Sequence, residues 1–186
     1  MSSPKIPALG YALLGLLMKP SSGYDLRKIF SSTSMKTYSG SPGAIYPALQ
    51  RLEKQGLIRG TIEEGAGLRR RQIFRLTPTG LAELKAWITL PITREDLSSG
   101  LKTVMLRFAL SESAVGAAAS LAILKALETA LQPHIQNLRE QLPAMKAAPA
   151  SARLALECGI RSYESIYDWA RYAITTYEKE GKRGAS

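Results

Sequence analysis

A chain of 186 residues, 45% hydrophobic and 22% charged, holds enough apolar material for one good core or two small ones, and too much for a disordered segment. No apolar run approaches the roughly 20 residues of a membrane span, and the single cysteine, Cys158, excludes an internal disulfide and a cysteine metal cluster, which suits a reducing cytoplasm. The net charge of +10 is uneven: residues 1–90 carry 13 Lys/Arg against 5 Asp/Glu, residues 91–186 carry 12 against 10, so the excess cation sits where a polyanion would meet the first half.

The opening apolar stretch has the length of a signal peptide. One lysine precedes it, however, and Met18, Lys19 and Pro20 make a poor cleavage site, so it reads as a core helix. Leu9, Leu13, Leu16 and Leu17 share one face of that helix, and Pro20 ends it. Ser22 with Asp25 three residues on starts a second helix, with Leu26, Ile29 and Phe30 as its apolar stripe. In the third, Ile45, Leu49 and Leu52 fall at i, i+4 and i+7, Gly56 supplies the stop, and Pro47 is tolerated only in the first turn.

The period then changes. Residues 57–64 and 69–77 alternate like strands and are joined by Gly65-Ala66-Gly67, with Phe74, Leu76 and Gln72 on one side of the second strand. Thr77 and Pro78 open a further helix that reaches Leu90 and stops at Pro91.

Beyond Pro91 the pattern is helical throughout. Residues 94–110 read as one helix with Leu101, Val104, Met105 and Phe108 on a face; Ser111 caps a long segment running to about Leu142, kinked at Pro133; a turn follows near Pro149. The last helix carries Tyr163, Ile166, Tyr167, Ala170, Ala173, Ile174 and Tyr177 at 3–4 spacing, a stripe that predicts pairing with a second copy of the chain. The expected organisation is mainly α: a winged helix-turn-helix domain over 1–91 (three helices plus a two-stranded wing), a helical dimerisation and effector domain over 92–180, and a disordered tail over 181–186.

Such a head is built for double-stranded DNA, its third helix in the major groove and its hairpin on the flanking backbone. Ser41 and Gly43 let the helix N-terminus approach phosphate, Tyr46, Gln50, Arg51 and Lys54 can project into or along the groove, and Arg69, Arg70 and Arg71 arm the wing. For each of these the alternative is an ordinary solvated side chain, or for Tyr46 a cover for the core. Trp87, Phe108, Trp169 and Tyr172 can line an aromatic effector pocket, or simply pack at a dimer interface. His134 lacks a partner ligand for a metal, and Cys158 reads as a small buried hydrophobe. Catalytic signals are thin: Ser99 and Lys102 match S-x-x-K without the rest of that machinery, and "GAGLRR" lacks the third glycine of a dinucleotide loop. The chain reads as neither an enzyme nor a cofactor protein.

"ALLGLLMKPSSGYDLRKIF", "SPGAIYPALQRLEKQGLI" and "RRRQIFRLTPTGLAELKAWI" resemble the PadR family of bacterial transcriptional regulators, through Gly23–Tyr24, the block from Gly43 to Leu57, and Leu76–Thr77…Gly80. The second half is similar to the all-helical region of the subgroup with extended tails, on less specific motifs. The resemblance implies a homodimer on a palindromic operator, usually a repressor, often released by a small aromatic effector. It also places Tyr38 where relatives carry an aromatic just before the recognition helix, touching phosphate or packing beneath that helix, while Phe74 stands where a tyrosine is common. Two other readings remain: a winged helix kept for protein interaction, and a ligand sensor without specific DNA binding.

Overall fold

The computed structural model describes residues 6–38, 42–64 and 70–183, in two compact units, Met1–Ile88 and Thr89–Ser186. In the first unit α1 (Ala8–Leu16), α2 (Gly23–Ser32) and α3 (Ile45–Lys54) surround a core in which Leu13, Leu14, Leu26, Ile45 and Leu49 are wholly excluded from solvent. The Ser22 hydroxyl accepts the Asp25 N–H at 3.1 Å and donates to its carboxylate at 2.6 Å, the start expected from their spacing. Pro47 is the third residue of α3, where a backbone N–H would have no intrahelical partner to lose. At the other end Gly56 takes φ +72°, the Leu57 N–H reaches the Leu52 carbonyl at 3.0 Å and the Gly56 N–H that of Glu53 at 2.9 Å, a Schellman stop.

The wing strands β2 (Ile58–Glu64) and β3 (Arg70–Leu76) pair antiparallel, from Ile58 opposite Leu76 to Glu64 opposite Arg70. The ribbon is not two-stranded as expected. A third strand, β1 (Ser21–Ser22), pairs with Ile73 and Phe74, which makes β3 central and leaves β2 an edge. Two serines are too short and too polar to carry a strand signal. α4 (Pro78–Ile88) begins where Thr77 accepts the Gly80 N–H at 3.0 Å, and ends two residues short of Leu90.

The second unit holds α5 (Arg94–Ser98), α6 (Leu101–Val115), α7 (Ala117–Gln141) and α8 (Ala150–Arg183). Residues 94–110 are thus two helices, not one, separated at Ser99 and Gly100, and α5 opens on a Thr93–Asp96 capping box. Ser111 caps nothing. It lies inside α6, fully buried, 2.6 Å from the Ser120 hydroxyl, and the break comes at Gly116, whose φ of +91° favours glycine.

The regular stripe of α8 is covered by its own chain. Tyr163, Ile166, Tyr167 and Ala170 share a core with Leu127, Leu131 and Ile135 of α7, while Ala173, Ile174 and Tyr177 meet Leu124 and Phe108. Lys125–Glu178 (2.9 Å), Glu128–Arg171 (3.6 Å) and Arg139–Glu164 run along this antiparallel pair, contributing register more than stability because all are substantially exposed. α8 continues to Arg183, three residues into the stretch expected to be disordered; residues 184–186 lie outside the described part. Cys158 is exposed rather than buried. Among the described residues no helix is long and apolar enough to cross a membrane.

Candidate nucleic-acid interface

α3 presents its polar side outward because its apolar residues leave no choice. Ile45, Ala48, Leu49 and Leu52 are buried; at about 100° per residue, Gln50 and Lys54 lie within roughly 30° of the opposite direction, with Tyr46 and Arg51 about 70° to either side. All four are exposed. The flanking pair are further separated by their neighbours. Tyr46, 47% exposed, rests its ring on Gly23, where a Cβ would stand 2.7 Å from the ring. Arg51 borders a depression of about 240 Å³ with Ile6, Pro7, Gly10 and Gln55.

A short turn, Pro42–Ala44, leads straight into α3, and Ala44 offers no side-chain cap to the first N–H groups. Gly43 in that turn is exposed. The N–H groups at the positive end of a helix dipole suit a phosphate oxygen. Tyr38 ends the preceding turn, Ser34–Tyr38, half-buried, and burial pushes its phenol above the ordinary tyrosine range, so at neutral pH it is a neutral donor. Ser41 and Arg69 lie outside the described residues.

In the wing, Arg70 and Arg71 are exposed. Arg70 alternates with Phe74 on one face of β3, and Arg71 with Ile73 and Arg75 on the other. The register brings in two residues that sequence reasoning passed over: Glu64 stands opposite Arg70 and Glu63 opposite Arg71. Glu63 gives its carboxylate to Arg75 at 2.7 Å, and Arg75 also donates to the Thr61 hydroxyl at 2.9 Å. The pairing therefore falls on Arg75, at the wing's base, while Arg70 and Arg71 stand nearer its tip.

The four aromatics proposed for an effector are divided between the units, Trp87 in the first and Phe108, Trp169 and Tyr172 in the second. Trp87 is buried in the first unit, stacked on Tyr11 with centroids 4.0 Å apart. Burial raises the Tyr11 pKa, and its hydrogen bond to Glu83 at 2.9 Å raises it further. Phe108 meets Trp169 edge-on at 5.5 Å in the second unit, where Tyr177 joins them at 6.3 Å from Phe108. Tyr172 is 71% exposed on another side of α8, beside Glu128 and Arg171. His134 stands edge-on to Tyr163, and the described residues hold no cluster of three or more metal-ligating side chains. Ser99 donates to the Glu95 carbonyl at 3.1 Å at the end of α5.

Residues 13–86 match the model of the transcriptional regulator PadR-like family. The negative transcriptional regulator PadR of Bacillus subtilis is 39% identical over 83 residues, covering 43% of this chain and 44% of that protein, so the match spans under half of that relative's length. The probable transcriptional regulator Rv1176c of Mycobacterium tuberculosis is 27% identical over 87% of this chain and 93% of its own. The crystal structure of B. subtilis PadR in complex with operator DNA aligns over 91% of this chain and 98% of its own, at 22% identity and a TM-score of 0.41.

Proposed function

We propose, from the match of residues 13–86 to the PadR-like family of transcriptional regulators, that the chain is a cytoplasmic homodimer that binds a palindromic operator and represses transcription until a small aromatic effector releases it. The observation that carries the DNA-binding half is one exposed surface made of Tyr46, Gln50, Arg51 and Lys54 on α3, with Arg70 and Arg71 exposed on the wing of the same unit. Gln50 and Lys54, at the centre of the outer face, read base edges; Tyr46, Arg51, the Gly43 turn, Tyr38 and the wing arginines hold the backbone.

For the dimer we propose a contact through the outer face of α8, which includes Tyr172. With the main stripe covered, Leu154 (57% exposed) and Tyr172 (71%) remain, eighteen residues and therefore five turns apart on one face of α8. A dimer places two recognition helices about 34 Å apart, one turn of duplex.

The deciding measurement is operator affinity against salt, on a duplex taken from the gene's own upstream region. Arg70→Ala and Arg71→Ala weaken binding to every sequence and each flatten the log–log salt slope by roughly 0.9 per lost phosphate contact. A double variant with the wild-type slope rules out the wing. Gln50→Ala instead changes which operator variants are preferred, by about 1–3 kcal/mol at one position. For the effector we propose the Phe108–Trp169–Tyr177 cluster. In a Trp87→Phe variant Trp169 is the only tryptophan left, and a planar phenolic acid that quenches it while releasing DNA supports that site; release without quenching places the effector elsewhere.

A further inference from the structure

We propose that Glu53 is a positioning residue that latches the recognition helix to the edge of the wing, so that the base-reading and backbone-gripping elements engage DNA as one body. The proposal rests on the DNA-binding reading above. Glu53 is the penultimate residue of α3, half-buried, and its Oε1 accepts the backbone N–H of Gly60 in β2 at 2.7 Å. β2 is an edge strand whose partner β3 lies on its other side, so this N–H points away from the sheet and would otherwise face water. A carboxylate taking a backbone N–H is a charge-assisted bond, stronger than a neutral one.

A second observation shows that the spot is shaped for this contact. A Cβ on Gly60 would stand 2.5 Å from Gln72 Nε2, 2.9 Å from Glu53 Oε1 and 3.1 Å from Phe74 Cε1. A side chain at this position would push the Glu53 carboxylate and the Gln72 amide off the strand, so glycine leaves room for both to close on it beside the Phe74 ring. The charge argues the same way. An acidic side chain on a helix meant for a polyanion opposes binding unless its carboxylate is turned to another use, and here it is spent on β2.

The latch lies at the wing's base. Beyond Gly60 the ladder continues through Thr61–Ile73, Ile62–Gln72 and Glu63–Arg71 to Glu64–Arg70. Freed at Gly60, β2 and the arginines it supports pivot relative to α3, and phosphate contacts lose their register with the bases read by Gln50. A two-point grip then becomes two separate grips.

Hydrogen exchange on the DNA-free full chain tests the latch directly. Glu53→Ala should speed exchange of the Gly60–Glu64 and Arg70–Phe74 amides about tenfold, the equivalent of one lost hydrogen bond to a charged group. Glu53→Gln, whose side-chain oxygen still accepts, should stay within about threefold of wild type. Should Glu53→Ala not fold, Glu53→Asp, which keeps the charge but is one methylene short, carries the same expectation. Wild-type rates in the alanine or aspartate variant overturn the proposal.

On DNA, Glu53→Ala should weaken operator binding about tenfold and remove most of the further loss caused by Arg70→Ala with Arg71→Ala, because the wing no longer acts with α3. Full additivity of the two losses also overturns it. If wild type binds no duplex, the regulator reading fails while the exchange experiment still decides the latch.

Discussion

Replacing Gly80 with alanine is expected to destabilise the first unit by at least about 3 kcal/mol and to lower its melting temperature by more than about 10 °C. Gly80 lies in the first turn of α4, and a Cβ there would overlap the Leu57 carbonyl oxygen, with the carbonyl carbon only 2.8 Å away and Leu76 Cδ1 at 3.0 Å. Both nearest atoms belong to backbone, so no rotamer change relieves the contact. Leu57 cannot give way either. Its N–H is the closing bond of the α3 stop, and its carbonyl accepts the Thr77 N–H at 3.1 Å, with the Thr77 hydroxyl 3.0 Å away. The end of α3, the start of β2 and the start of α4 all meet at this one peptide. Circular dichroism melts check it, with Gly159→Ala as control. Gly159 is inside α8, and a methyl group there would meet nothing within 4 Å, so alanine should be neutral or up to about 1 kcal/mol stabilising. At roughly 4–8 °C per kcal/mol, a Gly80→Ala melt within about 2 °C of wild type contradicts the packing account.

The head was legible because its signals are local. Ser22 with Asp25, Thr77 with Pro78, and Gly56 after a basic turn each state where a helix begins or ends within four residues, and the structure uses all three as caps or stops. What sequence reasoning missed depends on partners far along the chain. β1 exists only because β3 offers it a ladder. Ser111 has the side chain of a cap, but its hydroxyl donates to the Phe108 carbonyl at 2.7 Å and meets that of Ser120 on the next helix, and the break falls to Gly116. The α8 stripe predicts a buried face and a second copy to pair with, and α7 of the same chain packs against that face. The candidate site divides the same way. Exposure of Gln50, Arg51 and Lys54 follows from helical periodicity, whereas the outward lie of Tyr46 over Gly23, the pairing of Glu63 with Arg75 and the reach of Glu53 to Gly60 need the folded neighbours.

Arg107→Ala is expected to cost the second unit about 3 kcal/mol, read as a lower denaturant midpoint with unchanged slope. Arg107 is only 3% exposed, among the least accessible charged side chains described, in a helix whose neighbours Val104 and Leu106 are fully apolar. Its guanidinium donates to the Leu90 carbonyl, in the segment that leads into this unit. Burial draws its pKa down from the ordinary arginine value and the nearby Asp96 carboxylate pushes it back up; it stays charged at neutral pH because arginine starts so high. Alanine removes the donor, leaves a cavity, and takes away the cation beside Asp96, whose carboxylate already accepts the Thr93 N–H and hydroxyl at 2.8 Å each. Methionine separates these causes. It fills most of the volume with no charge to desolvate, so Arg107→Met should recover at least half of the loss if packing dominates, and little of it if the Leu90 bond does. Lysine tests the fork: its single ammonium cannot span two directions at once, and Arg107→Lys should fall between the two. An alanine variant as stable as wild type would mean that the buried guanidinium costs as much to desolvate as its bonds return, and that the chain keeps it for the geometry of residues 89–92 rather than for stability.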